Sequence, residues 1–121
     1  MNKYKVGIDI GSTTVKLVVL DEKNKLVYHK YHRHLSDSKG TLIDLIRKAY
    51  KDLGDIQLQT CITGSGGLSI SNWLKLGFAQ EVIACSKAVE TYIPETDVAI
   101  ELGGEDAKIT YFRGGVEQRM N

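Results

Sequence analysis

Two stretches of this chain, VGIDIGSTTVKLVVL at 6–20 and VAIELGGEDAKITYF at 98–112, align without a gap. In each, an apolar run breaks at an acid followed by glycine and then resumes as a second apolar run. Asp9 falls over Glu101, Gly11 over Gly103 and Lys16 over Lys108. Glycines and hydroxyls between two strands fit a tight hairpin turn. They equally fit a backbone cradle for phosphate, and the first stretch by itself leaves both readings open. The repeat favours the cradle, because an internal copy carries more information than either turn.

The flanking pattern extends the repeat. Strands are predicted over Tyr4 to Ile10, Thr14 to Leu20 and Leu26 to His34, a β-meander turning at Gly11-Ser12-Thr13 and at 21–24. Ser36 to Gly40 supplies loop and capping residues. Leu42, Leu45, Ile46, Ala49, Tyr50 and Leu53 recur at helical spacing, with Thr41-x-x-Asp44 as a capping box and Gly54 as the stop. Ile56 to Thr63 reads as a strand running into the glycine-rich segment 64–67. A short helix over Ser69 to Lys75 ends near Gly77, Glu81 to Ile83 reads as a short strand, and Cys85 to Tyr92 as a helix stopped by Pro94. From residue 97 the strand, acid-and-glycine turn, strand, turn, strand order returns. The second copy lacks the helix that follows the first.

Polyphosphate is held by backbone N–H groups presented from a turn, with hydroxyl donors and a nearby cation. Gly11 permits close approach, Ser12, Thr13 and Thr14 add hydroxyls, and Lys16 is within reach of a phosphate oxygen. An acid just before the glycine, Asp9 or Glu101, repels phosphate directly. Its position makes sense with a partly hydrated Mg²⁺ between carboxylate and phosphates. Neither turn is a Walker A or a dinucleotide fingerprint, since both lead into a strand and not into a helix.

Composition narrows the classes further. The chain has 121 residues, enough for one modest core, and a formal charge of +1 with both signs interleaved. No basic face announces nucleic acid. Asp9, Lys16 and Asp21 interrupt the apolar runs too often for a membrane span or a signal peptide, so a cytoplasmic location is the default. Cys61 and Cys85 form no CxxC and read as reduced, buried side chains.

The paired turns resemble the two phosphate loops of the actin, Hsp70 and sugar-kinase ATPase superfamily. Within it, GIDIGSTTVK at 7–16, TGSGG at 63–67, EVIACSKAV at 81–89, ELGGEDAK at 101–108 and EQRMN at 117–121 are most similar to one family. That family is the ATPase activators of 2-hydroxyacyl-CoA dehydratases and benzoyl-CoA reductases, also called CoA-substrate-specific enzyme activases. The likeness covers nearly the whole chain. ELGGEDAK and TGSGG look like its long, multi-module members more than its short ones.

The resemblance implies an α/β, ribonuclease-H-like (actin-like ATPase) half-domain over 1–95, with a mixed five-stranded sheet of order 3-2-1-4-5. Residues 96–121 would be the truncated start of a second half-domain. It implies binding of ATP and Mg²⁺, with Asp9 holding the metal through water and Gly11, Ser12, Thr13, Thr14 and Lys16 on phosphate. Glu101, Gly103 and Gly104 would form the second loop, Glu101 standing where the family more often has Asp. Glu105 would either orient the attacking water or remain a solvated loop carboxylate. A homodimer sharing a [4Fe–4S] cluster, and a dehydratase or reductase partner that receives its electrons, are implied for the full-length protein. The cluster cysteines follow, in that family, just after the position where this chain stops at Asn121. The expectation is therefore a fragment that binds ATP weakly or not at all and is inactive by itself. A small-molecule kinase of the same superfamily and a non-catalytic association module are the competing readings.

Three other features have blander readings. Residues 28–34 (YHKYHRH) place His32 and His34 on one strand face and His29 on the other, and read as a polar edge strand more than as a metal site. Trp73, Phe78, Tyr111 and Phe112 fit packing better than nucleobase stacking. Residues 64–67 fit either approach to a nucleotide or a flexible strand-to-helix turn.

Overall fold

The structure, a computed structural model, describes residues 3–54, 57–103, 107–113 and 116–120. The strands are β1 (Lys3–Ile10), β2 (Thr14–Leu20), β3 (Leu26–Arg33), β4 (Gln57–Thr63), β5 (Gly77–Phe78), β6 (Val98–Leu102), β7 (Ala107–Arg113) and β8 (Val116–Met120). The helices are α1 (Ser38–Leu53), α2 (Gly67–Leu74) and α3 (Glu81–Tyr92). Packing divides the chain into two compact units, Met1–Phe78 and Ala79–Asn121. The sequence repeat restarts after α3, whereas α3 itself groups with the second unit.

The first unit is a five-stranded sheet of order β3-β2-β1-β4-β5, the order expected from the sequence. β1, β2 and β3 run antiparallel in succession, and β4 and β5 lie parallel to β1. Alternation along β1 sends Val6, Ile8 and Ile10 to one face, where they are buried with Val15, Leu17, Val19 and Ile62. Leu42 and Leu45 of α1 and Ile70 of α2 belong to the same buried cluster, so both helices cover that one face. The opposite face carries Gly7, Asp9, Lys16, Val18 and Cys61, and among the described residues of this unit no helix covers it.

Local chemistry moves several boundaries. The side chain of Asp37 accepts from the Gly40 N–H at 3.0 Å, which caps α1 and starts it at Ser38. Thr41 and Asp44, expected as a capping box, lie inside the helix, and Asp44 pairs with Lys48 at 3.0 Å one turn on. Gly54 ends α1 as expected, with φ 80° and its N–H on the Tyr50 carbonyl. α2 ends at Lys75, itself left-handed at φ 57°, leaving Gly77 to pair with Cys61 in β5. The short strand expected over 81–83 is the first turn of α3 instead. Val82 and Ile83 run on into Ala84 without alternation, and Glu81 suits the positive end of a helix.

Cys61, expected to be buried, is exposed, because it lies beside Gly7 on the open face of the sheet; Cys85 is half-buried. In the second unit β6, β7 and β8 form an antiparallel sheet, and α3 packs on β8. Ser86 and Val89 of α3 are buried, as are Thr110 and Phe112 of β7. Among the described residues no helix is long and apolar enough to cross a membrane.

Candidate phosphate-binding turn

The first turn is tight. The Gly11 N–H donates to the Thr14 carbonyl at 2.9 Å, so Ser12 and Thr13 form its tip. The neighbouring carbonyls are tied back by other elements. Ile10 O accepts from the Gly66 N–H at 2.8 Å, and Thr13 O from the His34 N–H at 3.0 Å. Gly11 O lies 3.0 Å from the His34 ring nitrogen Nε2. By contrast, the N–H groups of Ser12 and Thr13 donate to nothing among the described residues, and both residues are exposed. Four carbonyls at the turn, those of Ile10, Gly11, Thr13 and Thr14, are thus occupied while the two tip N–H groups are open, the polarity of an anion site.

The glycines around the turn divide by purpose. A Cβ on Gly64, whose φ is 101°, would overlap the Ile10 carbonyl and the Asp9 carboxylate. Gly64 is therefore required for TGSGG to pass against the end of β1. A Cβ on Gly66 would stand 3.0 Å from the Ile10 side chain, and one on Gly67 2.9 Å from that of Ile62. The 64–67 segment thus buttresses the turn. Gly11 differs: a Cβ there would meet only Thr14 atoms at 3.8 and 3.9 Å, ordinary contact. Among the described residues no close approach calls for glycine at that position.

Asp9 and Lys16 flank the turn on the open face as cross-strand partners. Lys16 Nζ stands 3.5 Å from Asp9 Oδ2, with the two side chains 45% and 39% exposed. The same ammonium lies 5.5 Å from the Tyr31 ring centroid. Ser12 and Thr13 display their side chains, while Thr14, at 9% exposure, is buried. The first unit therefore brings Asp9, Gly11, Ser12, Thr13 and Lys16 together and tucks Thr14 beneath them.

The second hairpin repeats the pairing, Glu101 opposite Lys108, in different surroundings. Lys108 Nζ is ion-paired with Glu81 of α3. Glu101 lies by Cys85 of the same helix, and its Oε2 is buried without a partner among the described residues. Burial pushes the Cys85 thiol up, and the Glu101 carboxylate adds to the rise. Gly103 is exposed, while Gly104 and Glu105 lie outside the described residues.

Magnesium fits the first turn only on limited terms. Among the described residues no group of three or more His, Cys, Asp or Glu is arranged to hold a metal. Asp9 would therefore offer such an ion one carboxylate, through which it could be held by way of water. An iron–sulfur cluster finds no ligand group among the described residues, where Cys61 lies on β4 and Cys85 on α3.

Sequence reasoning missed the part of His34, which read as one residue of a polar strand. Its contacts reach back 23 residues to Gly11, and no local spacing encodes them.

No family model matches the chain. A 2-hydroxyisocaproyl-CoA dehydratase activator from Clostridioides difficile is 32% identical over 112 residues, which is 88% of this chain and 40% of that protein. Component A of the (R)-2-hydroxyglutaryl-CoA dehydratase of Acidaminococcus fermentans has the same fold, with a TM-score of 0.80 at 20% identity. It is matched over 97% of this chain and 46% of its own. The activator of the 2-hydroxyisocaproyl-CoA dehydratase from Clostridium difficile, solved with bound ADPNP, gives a TM-score of 0.77 at 27% identity. There the match covers 98% of this chain and 45% of that one. The chain thus spans less than half the length of these proteins.

Proposed function

The chain belongs to the dehydratase-activator family of actin-like ATPases, and from that premise we propose that its first turn holds the phosphates of ATP. The observation that carries this reading is the turn's polarity. The carbonyls of Ile10, Gly11, Thr13 and Thr14 are engaged while the Ser12 and Thr13 N–H groups are open. Two such donors, the exposed hydroxyls beside them and the Lys16 ammonium form a set complementary to a phosphate group. The relative solved with ADPNP supports a nucleotide as the source of that phosphate.

Each residue then has a distinct part. Gly11 lets a phosphate oxygen approach the backbone, because it carries no Cβ. Lys16 swings from Asp9 to the phosphate across the short gap of their exposed ion pair. Asp9, released from Lys16, would hold Mg²⁺ through water, and the ion would supply positive charge to offset that of the phosphates. By the sequence repeat, Glu101, Gly103 and Gly104 belong to a second phosphate loop, and by the family resemblance Glu105 would orient the water that attacks the terminal phosphate.

The whole protein, on this reading, is a homodimeric ATPase that couples hydrolysis to electron delivery from a [4Fe–4S] cluster to a dehydratase or reductase. No residue of this chain is assigned to the cluster. An amide NMR titration of residues 1–121 with millimolar Mg·ATP tests the phosphate reading. Ser12 and Thr13 amides are expected to move with Mg·ATP and not with adenosine, and Gly11→Ala is expected to blunt the response. Equal responses to both ligands, or none, would contradict it.

A further inference from the structure

His34 follows β3 and touches the turn with both its backbone and its ring. Nε2 lies 3.0 Å from the Gly11 carbonyl oxygen, and Nδ1 lies 3.1 Å from the Ser36 backbone nitrogen. An amide N–H only donates and a carbonyl only accepts. Both contacts are therefore satisfied by one form of the ring: neutral, with Nδ1 bare and the proton on Nε2. The chain bends sharply to make the second contact. Leu35 and Ser36 have φ of 48° and 67°, two successive residues in the left-handed region.

The geometry points to His34 as a positioning residue for the phosphate-binding turn, an inference that rests on the phosphate reading above. Gly11 C=O and Ser12 N–H belong to one planar peptide and point in opposite directions. Drawing the carbonyl toward His34 sends the Ser12 N–H away from it, toward the open side. The His34 backbone N–H holds the Thr13 carbonyl in the same way at 3.0 Å. Ring and backbone of one residue thus fix both flanks of the tip. The left-handed pair after it locks the ring, since the Ser36 N–H occupies the other nitrogen. Backbone strain of this kind, held by a hydrogen bond beside a candidate site, belongs to positioning more than to packing.

The test begins with the wild-type chain of residues 1–121. Long-range ¹H–¹⁵N correlation spectra are expected to show His34 protonated at Nε2 and bare at Nδ1. The opposite tautomer overturns the proposal. His34→Phe keeps a ring without a donor and is expected to shift the Ser12 amide and to weaken its response to Mg·ATP about fivefold, the worth of one ordinary hydrogen bond. His34→Gln, whose side-chain N–H reaches about as far as Nε2, is expected to restore that response to within about twofold. A Ser12 amide indifferent to His34→Phe, or a His34→Gln chain that behaves like His34→Phe, overturns the proposal. Where His34→Phe fails to fold, the tautomer and the His34→Gln chain decide. If the wild-type amides ignore Mg·ATP, the phosphate reading fails. The tautomer and the Ser12 shift still report whether His34 sets the turn.

Discussion

Lys16 stands directly across the β1–β2 hairpin from Asp9, its Nζ 3.5 Å from the carboxylate, and both side chains remain open to solvent. An exposed pair of this kind contributes about 0–1 kcal/mol to folding. Its loss therefore costs the fold little, while a phosphate would lose a charged donor. Lys16→Met is expected to change stability by less than about 1 kcal/mol in chemical denaturation. Calorimetry or amide titration is expected to register at least about tenfold weaker Mg·ATP binding, because hydrogen bonds to charged groups are worth about 1.5–3 kcal/mol.

The two glycines on either side of that hairpin separate folding from binding. Gly64→Ala places a Cβ into the Ile10 carbonyl at a left-handed backbone position. A loss of about 2 kcal/mol or more in unfolding free energy is expected, strain and overpacking combined. Gly11→Ala meets only ordinary contacts. Its stability is expected to stay within about 0.5 kcal/mol of the parent, as for neutral substitutions elsewhere. Equal thermal midpoints for the two variants would refute the distinction.

Much of this was legible in the sequence, and the failures have a common cause. The β1–β2–β3 meander followed from alternation, α1 from its apolar spacing, and the sheet order from the resemblance. The errors fell where a contact distant in sequence overrides a local pattern. Cys61 reads as a small buried side chain, yet its partner across β1 is Gly7 on the uncovered face. Val82 and Ile83 fit a strand as well as a helix, and the two-residue β5 at Gly77–Phe78 takes the edge position beside β4. Gly11 and Gly64 look alike as letters, and only their surroundings separate ordinary contact from a close approach of backbone.

A pH response is expected at the β2–β3 turn. The Asp21 carboxylate accepts from the Lys25 and Lys23 N–H groups at 2.9 and 2.8 Å. These bonds, that to Lys25 foremost, hold the Asp21 carboxyl below the usual carboxylate range. A depressed carboxyl lends stability above its unfolded value and loses it as pH falls through its folded value. The Lys23 and Lys25 amides are expected to titrate together in that acid window. In Asp21→Asn the transition should vanish, and its persistence there would assign it to another group.

Thiol labelling distinguishes the two cysteines. Cys61 is exposed, whereas the Cys85 thiol is half-buried and raised, first by burial and then by Glu101. Iodoacetamide at mildly alkaline pH is expected to modify Cys61 well before Cys85. Glu101→Gln removes the neighbouring charge and should speed Cys85 several-fold. A raised thiol favours the neutral form, so its share of stability holds below the ordinary thiol range and fades as pH climbs through the raised value. Mass spectrometry of the labelled peptides reads the order directly.

Successive residues of β1 answer to different demands: Ile8 and Ile10 to the core beneath α1 and α2, Gly7 and Asp9 to the uncovered side. Substitutions on one side can therefore accumulate without disturbing the other. Insertions and deletions cannot, because a shift of one residue would exchange the two sets, burying Asp9 and exposing Ile8 together. What descendants of such a strand must preserve is its count, more strictly than any single letter in it. Divergence among related chains should accordingly spare the length of this hairpin long after its wording has changed.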